Sequence, residues 1–190
     1  MAEEPQANSS EQQRVDQFMR MASALHEDGK LEHAEATYRR ILFMQPNNAE
    51  ALYLLGEISM RKGRHEDAIR LINKAIACGG HEPVFFFSLA CAYHGAGRLK
   101  EAVEYYHKII ERDSRAVEAR NNLGCVLQTQ EDLAGAEREY RAALQIDAEF
   151  SPAHYNLGRL LDDRGEVDEA ILHYRRALVR APDHQDCLNR

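Results

Sequence analysis

The sequence predicts an all-α solenoid built from helical hairpins. Three observations predict it: a 34-residue repeat, apolar residues at helical spacing inside each repeat, and a glycine between the two apolar groups of most repeats. Alanine recurs at Ala34, Ala68, Ala102, Ala136 and Ala170, always 34 residues apart. Four residues after each stands Tyr38, Ile72, Tyr106, Tyr140 or Tyr174, and three further on Ile41, Ala75, Ile109, Ala143 or Ala177. Upstream, Met21, Leu55, Leu89, Leu123 and Leu157 form a large apolar column, each followed by Ala or Gly. Five registers hold without an insertion, over 15–48, 49–82, 83–116, 117–150 and 151–184.

From the N-terminus, residues 1–9 contain Pro5, Asn8 and Ser9 and little to bury, so they are expected to form a flexible tail. Ser10-Glu11-Gln12-Gln13 fits a capping box, which places the start of the first helix near Ser10. Each repeat is then a helix, a turn at Gly29, Gly63, Gly97 or Gly165, and a second helix; Glu131 breaks the turn column in the fourth repeat. The small columns have a steric purpose: Gly158 lets the first helix approach its partner, and Ala170 and Ala177 let the second be approached. Pro46 and Pro182 stand where a second helix stops. Residues 185–190 read as the start of an incomplete sixth repeat or a short tail. Leu172 and Val179 place two apolar side chains on the last helix, an expected interface with a continuation of the stack or with another molecule.

Composition excludes several classes. With 24 Lys+Arg against 31 Asp+Glu the net charge is −7, so the basic footprint of a nucleic-acid binder is missing. No run approaches the roughly 18 apolar residues of a membrane span. The first residues lack the basic and apolar regions of a secretory signal. Four cysteines without paired spacing read as thiols, and a cytoplasmic location is expected.

The units resemble tetratricopeptide repeats, through Asn156-Leu157-Gly158, Ala170, Tyr174, Ala177 and Pro182. Arg120 and His154 depart from the bulky residue common in that family, and Gly80, Ser114 and Ala148 replace its closing proline. The resemblance implies a right-handed superhelix of antiparallel helix pairs whose concave groove binds peptides or partner proteins, with no catalysis and no cofactor of its own. It also implies which columns face the ligand: Met19, Tyr53, Phe87, Asn121 and Tyr155, then Arg20, Leu54, Ser88, Asn122 and Asn156, and one turn on Ser23, Glu57, Cys91, Cys125 and Arg159. The expected binding residues are therefore Tyr53, Leu54, Phe87, Asn121, Asn122, Tyr155, Asn156 and Arg159. The aromatics serve as anchors and the amides pair with peptide backbone. Phe85 and Phe86 are assigned to core, since three consecutive residues cannot share one helix face.

Charge narrows the partner. Asp16, Glu27, Glu50, Glu57, Glu118, Asp162 and Asp163 outnumber Arg20, Arg61 and Arg159 in the groove columns, which favours neutral or basic segments. The columns that would clamp a chaperone's terminal carboxylate carry Tyr53, Glu57, Ser88, Glu118 and Asn122, without the required cations. Asn122 and Asn156 match two rungs of the asparagine ladder in O-linked N-acetylglucosamine transferases. A substrate-recruiting module of such an enzyme is thus an alternative, as is self-assembly through Leu172 and Val179. Cys91, His94 and Cys125 have no fourth ligand and sit on stacked repeats about 10 Å apart, too far for one zinc ion. Gly79-Gly80 lacks the flanking strand and Lys-Ser/Thr of a phosphate loop.

Overall fold

The computed structural model describes residues 4–180. Among these there are ten helices and no strand: α1 (Glu4–Glu27), α2 (Leu31–Met44), α3 (Ala49–Arg61), α4 (His65–Ala77), α5 (Pro83–Gly95), α6 (Leu99–Arg112), α7 (Val117–Thr129), α8 (Leu133–Ile146), α9 (Ser151–Asp163) and α10 (Val167–Arg180). Helices α3, α5, α7 and α9 open at the first residue of their sequence repeats. Their starts have local causes. Asn48 Oδ1 accepts from Ala51 N at 2.9 Å ahead of α3, and prolines occupy the first turns of α5 and α9, where no amide donor is needed.

One boundary differs from expectation. Helix α1 begins at Glu4 rather than near Ser10, so residues 4–9 are helix and not tail. Pro5 permits this, because proline in a first turn forfeits only an amide that would lack an intrahelical partner. Pro182, Leu188 and the expected partial repeat at 185–190 lie outside the described residues.

The interhelix turns share one hydrogen bond. Lys30, Arg64, Asp132 and Glu166 each donate their amide to the carbonyl five residues back, at 2.8–2.9 Å. That closure needs a left-handed residue just before the donor. Gly29, Gly63 and Gly165 supply it with φ of 70–80°, and Glu131 adopts φ 65° all the same. The packing of α7 on α8 imposes the conformation on a residue that resists it.

The helices fall into two compact units divided between Ala96 and Gly97. In the first, α1 pairs with α2 and α3 with α4, while α2 packs on α3 and α4 on α5. Val15, Ala22, Ala34, Tyr38, Ile41, Ala51, Leu55 and Ile58 form a continuous core there. Gly56 faces Ile72, which stands 2.7 Å from the position of a Cβ. Above this core the Glu35 carboxylate is 12% exposed and accepts from Lys62 at 2.8 Å and from Arg64 and Arg39 at 2.9 Å each. Arg64 foremost, then Lys62 and Arg39, hold Glu35 down at about 2 against the opposing push of partial burial.

In the second unit α7 pairs with α8 and α9 with α10, with α6 on α7 and α8 on α9. Ala136, Tyr140, Leu157, Leu160, Leu161, Ala170, Tyr174 and Ala177 form its core. A Cβ on Gly124 would lie 2.5 Å from Tyr140, and one on Gly158 2.9 Å from Tyr174. The sequence departures compensate one another here. Arg120 reaches the Ser114 carbonyl at 3.4 Å and Glu139 at 3.1 Å. Buried His154 meets the Ala148 carbonyl at 3.0 Å through Nε2 and His173 Nδ1 at 2.8 Å through its own Nδ1. The polar residues that replace the bulky column thus bind the carbonyls of the residues that replace the closing proline.

Two outcomes follow from these contacts. Glu131→Gly should raise stability by up to about 1 kcal/mol, by relief of the left-handed strain, as read by urea unfolding. Glu35→Gln should cost about 1–2 kcal/mol at pH 7, discounted for the exposed partners. Because the folded carboxyl lies below its ordinary 4.5, its contribution is present above that value and fades as pH falls toward 2. The acid limb of the variant's stability curve should therefore be shallower in thermal melts across that window.

Candidate functional site

In the first unit the expected ligand-facing columns lie on α1, α3 and α5. The Tyr53 ring stacks on Phe85, with centroids 4.3 Å apart and planes within 6°. Its hydroxyl lies 3.2 Å from Ser88 Oγ. Burial raises the Tyr53 hydroxyl pKa, partly offset by Ser88. Leu54 packs against the core of the first hairpins. Phe85 is buried, as expected, whereas Phe86 and Phe87 are half-buried. One oxygen of Glu57, a turn from Tyr53, is buried without a hydrogen-bond partner.

In the second unit α7 and α9 carry a continuous polar network. Asn121 Nδ2 donates to Asn122 Oδ1 at 3.2 Å, and Asn121 Oδ1 accepts from Asn156 Nδ2 at 2.9 Å. Asn156 Nδ2 also lies 3.4 Å from Cys125 Sγ. The Tyr140 hydroxyl, projecting from α8, stands 3.5 Å from that sulfur and donates to Gln128 Oε1 at 3.0 Å. Arg159 Nη2 donates to the same oxygen at 3.2 Å. Burial raises the pKa of both the Cys125 thiol and the Tyr140 hydroxyl, so both stay protonated at neutral pH.

This geometry corrects one expectation. Asn121 is only 5% exposed and serves as an internal bridge between α7 and α9, not as a partner-facing residue. The reason is the step between neighbouring first helices. Tyr53 to Ser88 and Asn121 to Asn156 both span 35 residues, so a residue in one helix meets the next position along in the following one. Asn122, Asn156 and Arg159 remain half-buried at the surface of the network. Tyr155 is half-buried, packed on the core and tilted at 45° to Tyr174 with centroids 6.1 Å apart. Gln128 joins the network although the sequence columns did not include it; its place three residues beyond Cys125, one helical turn on, is the signal that points to it.

The end residues also read differently in three dimensions. Leu172 and Val179 are exposed, but so are Ala36, Arg70, Glu104 and Arg138 in the first column and Phe43, Ala77, Glu111 and Gln145 in the second. Exposure at these columns is therefore common to α2, α4, α6, α8 and α10. Among the described residues no three His, Cys, Asp or Glu side chains come together as metal ligands. None of the described helices is long and apolar enough to cross a membrane.

The buried bridge has a measurable cost of removal. Asn156→Ala leaves Asn121 Oδ1 without its interhelix donor and should destabilise the protein by about 1–2 kcal/mol in urea unfolding. Asn122→Ala, at the network's edge, should cost less.

The model of the tetratricopeptide repeat family matches residues 19–83, 87–152 and 124–184. Among solved structures, YrrB is described as a tetratricopeptide repeat protein with an unusual peptide-binding site. It is 24% identical over 98% of this chain and 97% of that one, with a TM-score of 0.69. MamA from Desulfovibrio magneticus RS-1 is 17% identical over 89% of this chain and 97% of that chain, with a TM-score of 0.76. PilF from Pseudomonas aeruginosa is 18% identical over 94% of this chain and 82% of that chain, with a TM-score of 0.76. At these identities the likeness is one of fold. No curated protein matches the sequence significantly.

Proposed function

The chain belongs to the tetratricopeptide repeat family, and on that premise we propose that it is a non-catalytic interaction scaffold that holds an extended peptide segment of a partner protein. The observation that carries this is the network on α7 and α9. Hydrogen bonds to Asn121 and Gln128 fix the side chains of Asn122, Asn156 and Arg159 before any ligand arrives. Prior ordering lowers the entropy cost of binding. A primary amide offers both a donor and an acceptor, which matches the alternating groups of peptide backbone. Tyr53, Phe87 and Tyr155 supply half-buried aromatic surface for apolar side chains. The excess of carboxylates in the groove columns selects neutral or basic segments over acidic ones. Binding in YrrB, a protein of the same fold described as having a peptide-binding site, is consistent with this use of the fold. A cytoplasmic setting, with the cysteines as thiols, belongs to the same proposal.

Peptides selected from a displayed random library against the whole chain provide the test. Asn122→Ala combined with Arg159→Ala should weaken the selected peptides by about tenfold, near 1.4 kcal/mol, in fluorescence anisotropy. Thermal stability should stay close to that of the parent. Unchanged affinity in the double variant, and again in Phe87→Ala, would remove the groove from the account.

A further inference from the structure

The outer end of the first hairpin carries a second surface of opposite character. Arg14, Gln17 and Phe18 of α1 and Arg39, Arg40, Phe43 and Met44 of α2 line a shallow depression of about 620 Å³. Phe43 is 89% exposed, well beyond what an isolated core residue would show. The Arg40 guanidinium lies over the Phe18 ring, 4.7 Å from its centroid. Arg39 is paired with Glu35. No carboxylate among the described residues lies within ion-pair distance of Arg14 or Arg40. Two cations without an ion-pair partner among the described residues therefore flank an open aromatic surface in a chain of net charge −7.

The neighbouring edge of α1 is shaped for a helix. Gln17, Met21 and Ala24 are exposed, with Met21 at 42%. The equivalent Ala51, Leu55 and Ile58 of α3 are buried, and α2 packs on that helix. Among the described residues nothing occupies the corresponding place beside α1.

We propose that this basic aromatic patch is a second docking site, whose occupant is an acidic amphipathic helix of a partner protein. Its apolar side chains would cover Phe18, Phe43 and Met44 while its carboxylates pair with Arg14 and Arg40. A compact helix fits the charge distribution better than an extended polyanion. A lipid surface or nucleic acid would also face the acidic remainder of the chain, whereas a short helix within about 8–10 Å senses the local cations. The site shares no residue with the inner faces of α3, α5, α7 and α9, so it stands or falls apart from the groove.

The probe is a synthetic helical peptide of Glu, Ala and Leu, with Leu at i, i+3 and i+7, labelled for anisotropy and titrated against the whole chain. Binding should weaken as salt rises. Arg40→Glu and Phe43→Ser should each reduce affinity by about tenfold or more. Both positions are exposed, so melting curves should match the parent. Asn156→Ala and Arg159→Ala should leave the affinity unchanged. The proposal is overturned by equal binding of a Lys-for-Glu peptide, or by parental affinity in both patch variants. It is equally overturned if the peptide does not bind while phosphatidylserine vesicles do, or while the chain self-associates in a manner that Phe43→Ser abolishes.

Discussion

Three of the hairpins depend on the approach of two helices at a point where the first carries no side chain beyond hydrogen. Gly56 receives Ile72, Gly124 receives Tyr140 and Gly158 receives Tyr174, each too close for a methyl group without movement. Those contacts bring the second helix in far enough to bury the alanine columns completely. The same small column, Ala22 in the first hairpin and Gly124 in the fourth, also sets where the tyrosine hydroxyls emerge. Tyr38 ends 3.5 Å from Ser23 and Tyr140 3.5 Å from Cys125, across the same fifteen-residue separation. Steric clearance in the core therefore determines which polar atoms reach the network on α7 and α9. The inner network is a consequence of the small columns as much as of the polar residues that compose it.

The two described surfaces use polar groups in different ways. On α7 and α9 the amides are tied to one another, so any ligand meets side chains already oriented. On α1 and α2 the cations of Arg14 and Arg40 lack anionic partners among the described residues, and Phe43 lies open. A preordered neutral network suits backbone recognition, where geometry discriminates. An uncompensated charged patch suits rapid capture of a complementary charge, where local field and apolar contact dominate. Their separation on different helices would let one chain hold two partners.

Much of the architecture was legible in the sequence. Helices α3, α5, α7 and α9 start at the first residues of four 34-residue registers, which follow one another without an insertion. The glycine column announced the turns, and Glu131 kept the turn conformation despite lacking the residue type, since helix packing outweighs about 1 kcal/mol of local strain. The start of α1 was misplaced because a capping box at Ser10 and a proline in a first turn are both valid starts. Sequence alone does not rank them.

The candidate site was legible by column and not by role. The resemblance to tetratricopeptide repeats assigned Asn121, Asn122, Asn156 and Arg159 to the expected ligand-facing columns. It did not reveal that Asn121 is consumed by Asn156, that Gln128 joins Tyr140 to Arg159, or that Leu172 and Val179 lie on a face exposed in every hairpin. The sequence by itself determined the order of the described helices, since this follows from local spacing and from small residues at fixed intervals. Only the tertiary structure decided which polar side chains satisfy one another and which remain for a partner. Hydrogen bonding depends on distances of a few tenths of an ångström between residues 35 apart, and such distances are set by the stacking of whole helices.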